Sequence, residues 1–193
     1  VKYIQNYFWQ VGEVLSHLDN LPILAMIQEL EYLKKTGGRL FILGNGGSAA
    51  NASHAVNDFR KISGIEAYTP TDNVAELTAH ANDEGWAGAL VNWLSESRMR
   101  QGDAVLVLSV GGGARIGTSA NIHRALEYAS LSKVCILGIV SRDGGYTKEV
   151  ADVCLVIPTL DYHYITPFAE SFQALIWHCI VNHPALSEES IDA

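Results

Sequence analysis

Short runs that are apolar at every position alternate along this chain with longer stretches whose apolar residues return every three or four places. Residues 40–43, 104–109, 134–140 and 153–157 are of the first kind, and 65–68 is a weaker example. Continuous apolar runs of this length predict strands buried on both faces. The second kind begins with Tyr7, Val11, Val14, Leu15 and Leu18 and resumes with Ile23, Ile27, Leu30 and Leu33. That spacing predicts helix from residue 3 to about 35, interrupted at Pro22. The proline suits the first turn of a second helix, with Asn20 as its expected cap. Residues 49–59, 74–81, 86–98, 119–129 and 166–181 also read as helices, with 69–73 and 82–85 as loops and 143–145 as a turn. Pro167 falls in the first turn of the last helix, whose apolar stripe is Phe168, Phe172, Leu175, Ile176 and Cys179.

Strands alternating with helices predict an α/β fold, a three-layer αβα sandwich on a mainly parallel, doubly wound sheet. One domain is expected over 1–193: N-terminal helices at 1–38, the αβα core at 39–183 and a tail at 184–193. The two helices ahead of the first strand have little sheet to cover. Part of their apolar face is therefore expected against another subunit, with a hairpin folded onto its own domain as the alternative.

Two glycine-rich loops interrupt this pattern at strand ends. The first, Gly44-Asn45-Gly46-Gly47-Ser48, joins the strand at 40–43 to the next helix. Such a turn aims backbone N–H groups and a helix N-terminus at an anion. Ser48 is placed to cap that helix and to donate to a phosphate oxygen. The loop fits neither GxGxxG nor GxxxxGK[ST], which argues against dinucleotide and Walker-type sites. The second cluster, Ser109-Val110-Gly111-Gly112-Gly113, leads to Thr118-Ser119-Ala120-Asn121 at a helix start. Ser109 and Ser119 can face the same crevice as Ser48, with Ser119 as a second expected cap. Loops at the carboxyl ends of parallel strands are where such sheets hold ligands. Arg115 could add positive charge there, although a solvated loop arginine is the commoner case.

Net charge bears on the partner. At −8 the chain is not built for broad nucleic-acid contact, so an anionic ligand needs local positive potential. There is no apolar run long enough to span a bilayer and no signal-peptide pattern. Cys135, Cys154 and Cys179 are odd in number, lack CxxC spacing and lie in apolar surroundings. They read as reduced core residues of a cytoplasmic protein.

His54 and Asp58 stand four apart and share a helix face. Glu170 and His178, eight apart on the last helix, lie within about a quarter turn of each other. Two imidazoles and two carboxylates bordering one crevice can form an acid/base set or a metal site. Each alone reads as structural. His80, His123, His163 and His183 show no such pairing and read as surface or structural.

The motifs GNGGSAANASH, AHAND at 79–83, GDAVLVLS, SAN at 119–121 and ADVCLVIP resemble the sugar-isomerase (SIS) domain, in its phosphoheptose isomerase branch. The resemblance runs from about Tyr7 to Val181. It implies that Ser48, Ser109 and Ser119 hold a sugar phosphate, joined by Asn45, Gly46, Gly47, Gly111, Gly112 and Asp83. It also implies a catalytic or zinc-binding set at His54, Asp58, Glu170 and His178, no organic cofactor, and a tetramer with sites near subunit interfaces. Three positions depart from the family. The family's STSGNS loop is here the longer SVGGGARIGTS, Asp58 replaces a Glu, and Glu170 replaces a Gln.

The function expected from this resemblance is ketose–aldose isomerisation of a phosphorylated sugar, most simply sedoheptulose 7-phosphate to a heptose 7-phosphate through an enediol. Asp58 is the expected base and His178 the expected acid, with Glu170 as an alternative base. A zinc ion at the four side chains competes with pure acid/base use. The rival expectation is a non-catalytic SIS protein that binds a sugar phosphate or a protein such as the replication initiator.

Overall fold

The computed structural model describes residues 1–187. Five strands form one sheet: β1 (Leu40–Leu43), β2 (Ala67–Tyr68), β3 (Ala104–Ser109), β4 (Cys135–Val140) and β5 (Val153–Val156). All neighbours pair in parallel, in the order β2-β1-β3-β4-β5. Chain order reverses between β1 and β3, so a crevice opens at the carboxyl ends of those two strands.

Every strand residue from 40 to 43 and from 104 to 109 is buried, as continuous apolar runs require. Successive side chains go to opposite faces. Leu40, Ile42, Leu106, Leu108 and Ile139 join one core with α2 (Leu21–Thr36), α3 (Gly47–Lys61) and α8 (Ile165–Val181). Phe41, Leu43, Val105, Val107 and Ile136 join the other with α5 (Trp86–Glu96) and α6 (Ala120–Leu131). The remaining helices are α1 (Lys2–Ser16), α4 (Val74–Asp83) and α7 (Gly145–Val150).

Several expectations change at this level. The turn at 143–145 continues into α7, a helix too short to show periodicity in the sequence. Asn20 occupies the cap position of α2, but its side chain makes no cap bond. Asp19 Oδ1 instead accepts from the Leu21 N–H at 3.0 Å. Leu175 and Cys179 lie on the exposed side of α8, so the core stripe is Phe168, Phe172 and Ile176. Packing also runs beyond the expected core boundary. Leu186 is fully buried and its carbonyl accepts from Lys34 Nζ at 3.1 Å, so the tail begins as core. Positions 188–193 of that tail lie outside the described residues.

The N-terminal helices divide their apolar residues. Val14, Met26, Ile27, Leu30 and Leu33 enter the core. Ile4, Phe8, Trp9, Leu15, Leu21 and Leu24 remain exposed.

Candidate active site

Helices α3, α6, α7 and α8 follow the carboxyl ends of β1, β3, β4 and β5. In the first loop Gly46 is the cap residue of α3, at φ +59 and ψ −125, where glycine is favoured. Ser48 therefore lies inside the first turn and cannot cap it; it is buried, with no cap bond. Gly47 is set by close approach, because a Cβ there would collide with the carboxylate of Glu170. The sequence thus places Glu170 beside the first glycine loop through the absence of a side chain.

Asn45 ties this loop to the second. Its amide exchanges two bonds with Asn121, Nδ2 to Oδ1 at 3.0 Å and the reverse at 2.9 Å. Asn45 Nδ2 also lies 3.5 Å from Ser119 Oγ. Ser119 is the cap residue of α6, but at φ +64 its hydroxyl makes no cap bond. Its Oγ faces Asn45 across the crevice instead. Ser109 is buried, and its Oγ accepts from the Gly112 N–H at 3.0 Å, so part of its capacity goes to folding its own loop. Gly112, at φ +68, packs so closely on the Gly144 carbonyl that a Cβ would overlap it. The Thr147 N–H and hydroxyl hold the Gly112 carbonyl at 2.8 and 2.7 Å. The second loop is clamped onto α7.

Beside the second loop lies a cavity of ≈ 250 Å³ lined by Gly111, Gly113, Thr118, Ser119, Arg142 and Thr166 and by no residue of the first loop. A larger cleft of ≈ 700 Å³ adjoins it, sharing Gly111 and Arg142 and adding Asp143, Thr159, Tyr162 and Ile165. Arg142 follows β4 in a left-handed conformation, at φ +54. It supplies the cation that the sequence suggested at Arg115, which is exposed and lines neither space. Arg142, Thr118 and Thr166 are absent from the sequence-derived site. Their only advance signal is position, each lying just after a strand or beside a helix start. Asp83 ends α4 and accepts from Asn82 Nδ2 at 2.7 Å. Among the described residues no hydrogen bond joins it to the glycine loops.

Helices α3 and α8 descend side by side from the sheet edge. Asn51 Nδ2 clasps them, donating to the Glu170 carbonyl at 2.8 Å and to Gln173 Oε1 at 3.1 Å. Further down, His54, Asp58 and His178 meet. Asp58 Oδ2 is 3.5 Å from His178 Nε2 and 3.7 Å from His54 Nε2. Asn57 Nδ2 holds the other oxygen at 2.8 Å. The His54 ring packs edge-on to Trp177 at 4.7 Å between centroids. Asp58 is buried, whereas both imidazoles are partly open.

One ligand atom from each of His54, Asp58 and His178 lies within 4.8 Å of the others, a group that excludes Glu170. The expected quartet is thus a trio with Glu170 apart, eight residues up α8 or ~12 Å at ~1.5 Å per residue. Two imidazoles and a carboxylate suit zinc, with a coordination position left over for water or substrate. Cys135 and Cys154 are poor nucleophiles. Burial raises the Cys135 thiol to about 12, with help from Asp152 and Glu29, and burial raises Cys154 to about 11.

No family model matches the chain. Curated proteins do. The phosphoheptose isomerase of Trichlorobacter lovleyi is 34% identical over 145 residues, 72% of this chain and 71% of that protein. The chain belongs to the phosphoheptose isomerase family. A second member, from Chlorobium phaeobacteroides, is 33% identical over 159 residues, covering 79% of this chain and 68% of that protein. The solved phosphoheptose isomerase of Neisseria gonorrhoeae superposes with a TM-score of 0.81 over 93% of this chain and 95% of that one. At 22% identity that likeness is one of fold, and it agrees with the parallel sheet flanked by helices described above.

Membership in the phosphoheptose isomerases gives the two loops and the trio a common context. The loops lie at the carboxyl edge of the sheet, and the trio lies further down α3 and α8. Among the described residues, no helix is long and apolar enough to cross a membrane.

Proposed function

We propose that this chain is an aldose–ketose isomerase that interconverts sedoheptulose 7-phosphate and D-glycero-heptose 7-phosphate. The observation that carries the reading is Asp58, a buried carboxylate facing two imidazoles on helices that descend from the carboxyl edge of the sheet. The phosphate sits at the loops, against Ser119, the amides of Gly111 and Gly113, and Arg142. The N-terminus of α6, with Ser119 at its cap position, favours the same charge. An acyclic heptose phosphate carries its reacting C1–C2 pair at the end remote from phosphate.

In this reading Asp58 removes a proton from the carbon next to the carbonyl, and His178 delivers one to the carbonyl oxygen. Asp58 then returns its proton to the neighbouring carbon while the hydroxyl on the first carbon gives its proton to His178, exchanging ketose for aldose. A carboxylate and an imidazole at one carbon pair are the groups such proton transfers use. Asn57 keeps Asp58 oriented through its second oxygen. Zinc at His54, Asp58 and His178 would polarise the substrate carbonyl when bound. The same reading places the enzyme in the cytoplasm, in keeping with three unpaired cysteines.

Purified protein incubated with sedoheptulose 7-phosphate in D₂O tests the function. Product signals in the NMR spectrum with deuterium at C2 are expected. No turnover would leave the non-catalytic reading, and turnover without deuterium would mean either a hydride shift or a base that returns its proton before exchange with solvent.

Arg142 and Ser119 provide a second prediction. Charge-assisted hydrogen bonds are worth about 1.5–3 kcal/mol, so Arg142→Met should raise KM by about 10–100-fold. Contacts to a remote phosphate act alike in ground and transition states, so kcat should hold. Ser119→Ala should move KM in the same direction by less. A wild-type KM in both variants would relocate the phosphate.

The exposed apolar residues of α1 and α2 support a homo-oligomer, and we read it as a tetramer. Closed symmetric assemblies are the usual way to cover such a face. Sedimentation at micromolar concentration should return a tetramer for the wild type and smaller species for Ile4→Glu/Phe8→Glu. A wild-type monomer would end this reading.

A further inference from the structure

Away from the sugar site, α4 and α5 bring one histidine against three glutamates. His80 lies near the end of α4 and is only 6% exposed. Its Nδ1 is 3.1 Å from Glu84 Oε2, one turn further along. An ionised carboxylate can only accept, so Nδ1 carries the proton of that bond, and whenever the ring holds a single proton Nε2 presents a lone pair. Nε2 is buried and has no hydrogen-bond partner among the described residues. It lies 3.4 Å from Glu96 Oε2, without the geometry of an N–H bond to it. A carboxylate oxygen of Glu76 completes the group, with the three ligand atoms all within 4.8 Å of one another.

A lone pair and two carboxylates converging here repel one another, and the Trp93 Nε1–H that reaches them serves Glu76. A proton on Nε2 would serve one oxygen at most. A divalent cation serves all three atoms at once. The surroundings match what such a site uses. Glu84 fixes the ring through its other nitrogen, the carboxylate–histidine arrangement that orients a metal-binding imidazole. Trp93 Nε1 holds Glu76 Oε2 at 3.1 Å, fixing one ligand carboxylate in turn.

We propose that the α4–α5 pair holds a divalent metal ion of the zinc class, ligated by His80 Nε2, Glu76 and Glu96. One imidazole and two carboxylates form an N/O set that zinc accepts, leaving a place for water. Glu76 and His80 lie on α4 and Glu96 ends α5, so the ion clips the two helices together. It is separate from the trio on α3 and α8 and takes no part in isomerisation.

The test uses the full chain carrying His54→Gln and His178→Gln, which disables the trio, dialysed against Zn²⁺ alone. One zinc per chain is expected by elemental analysis. Adding Glu96→Gln, a change at an exposed carboxylate, should abolish it, and so should Glu76→Gln. Glu84→Gln should weaken it by about 10–100-fold, the usual effect of losing a partner behind a metal ligand. Imidazole ¹H–¹⁵N spectra supply a reading independent of stoichiometry. The His80 Nε2 signal should be that of an unprotonated nitrogen and should shift on zinc addition. Absence of bound zinc, zinc unaffected by both Glu76→Gln and Glu96→Gln, or a doubly protonated His80 indifferent to zinc would each overturn the proposal. None of these readouts depends on isomerase activity.

Discussion

Asp58→Asn is expected to lower kcat by about 10²–10⁴-fold, the range spanned by general acid–base catalysis. The amide keeps the size and most hydrogen bonds of the carboxylate but cannot take a proton from carbon. Its neighbours should hold it in place, since Asn57 Nδ2 already bonds one oxygen at 2.8 Å. KM should change little, because the phosphate cavity is remote from this end. The slow exchange of substrate protons with D₂O should fall in step with kcat. Glu170→Gln is the control. It restores the side chain that the family carries and should leave kcat within a few-fold of wild type. If Glu170→Gln removed turnover and Asp58→Asn spared it, the base would be at the glycine loop. His178→Gln should lower kcat as well, and should reduce the zinc retained at the trio if that ion is bound.

The largest effect on stability is expected at Asp103, which lies outside the site. This carboxylate is almost wholly buried and accepts four hydrogen bonds. Arg39 Nη2 meets Oδ2 at 2.7 Å and Arg39 Nε meets Oδ1 at 3.2 Å, a two-pronged ion pair. The Arg39 and Arg100 N–H groups reach the same two oxygens at 3.1 and 2.9 Å. The pair holds the entries to β1 and β3 together, and the hydrogen bond to Asp103 raises the Arg39 guanidinium further above its ordinary value. Asp103→Ala leaves a part-buried cation and two backbone donors without their acceptor. Breaking a buried pair by removing one partner costs about 3–5 kcal/mol. Urea unfolding should show that loss as a lower midpoint with an unchanged slope. A loss below 1 kcal/mol would mean that water replaces the carboxylate at little cost. Asp103→Asn, which keeps an acceptor, should lose less than Asp103→Ala.

Much of the fold is legible from local pattern. Runs such as 104–109 have no polar face, so they are stable only between two helical layers, and that requirement fixes a covered parallel sheet. The glycine loops are legible for a similar reason. Gly46 needs a left-handed dihedral and Gly47 needs an absent Cβ, and both needs leave their mark in residue type. His54 and Asp58 share a helix face by spacing alone, and His178 could be paired with them once both helices bordered one sheet edge.

Other features depend on distances that no local pattern encodes. Glu170 sits against Gly47 because α3 and α8 run in parallel register, which leaves it about two turns above the trio it was expected to join. Arg142 reaches the cavity beside Ser119 because the loops after β3 and β4 lie side by side in the sheet. In the sequence it is one loop arginine among several, and Arg115 looked no worse. His80 shows the same limit. Its partner Glu84 is local, but the orphaned Nε2 and the carboxylate of Glu96 meet only when α4 packs on α5. Sequence determines what each segment must bury and which dihedrals its glycines permit, because those are short-range sterics and solvation. Which polar groups then face one another is decided by the register of packed helices and neighbouring strands, a property of the assembled fold.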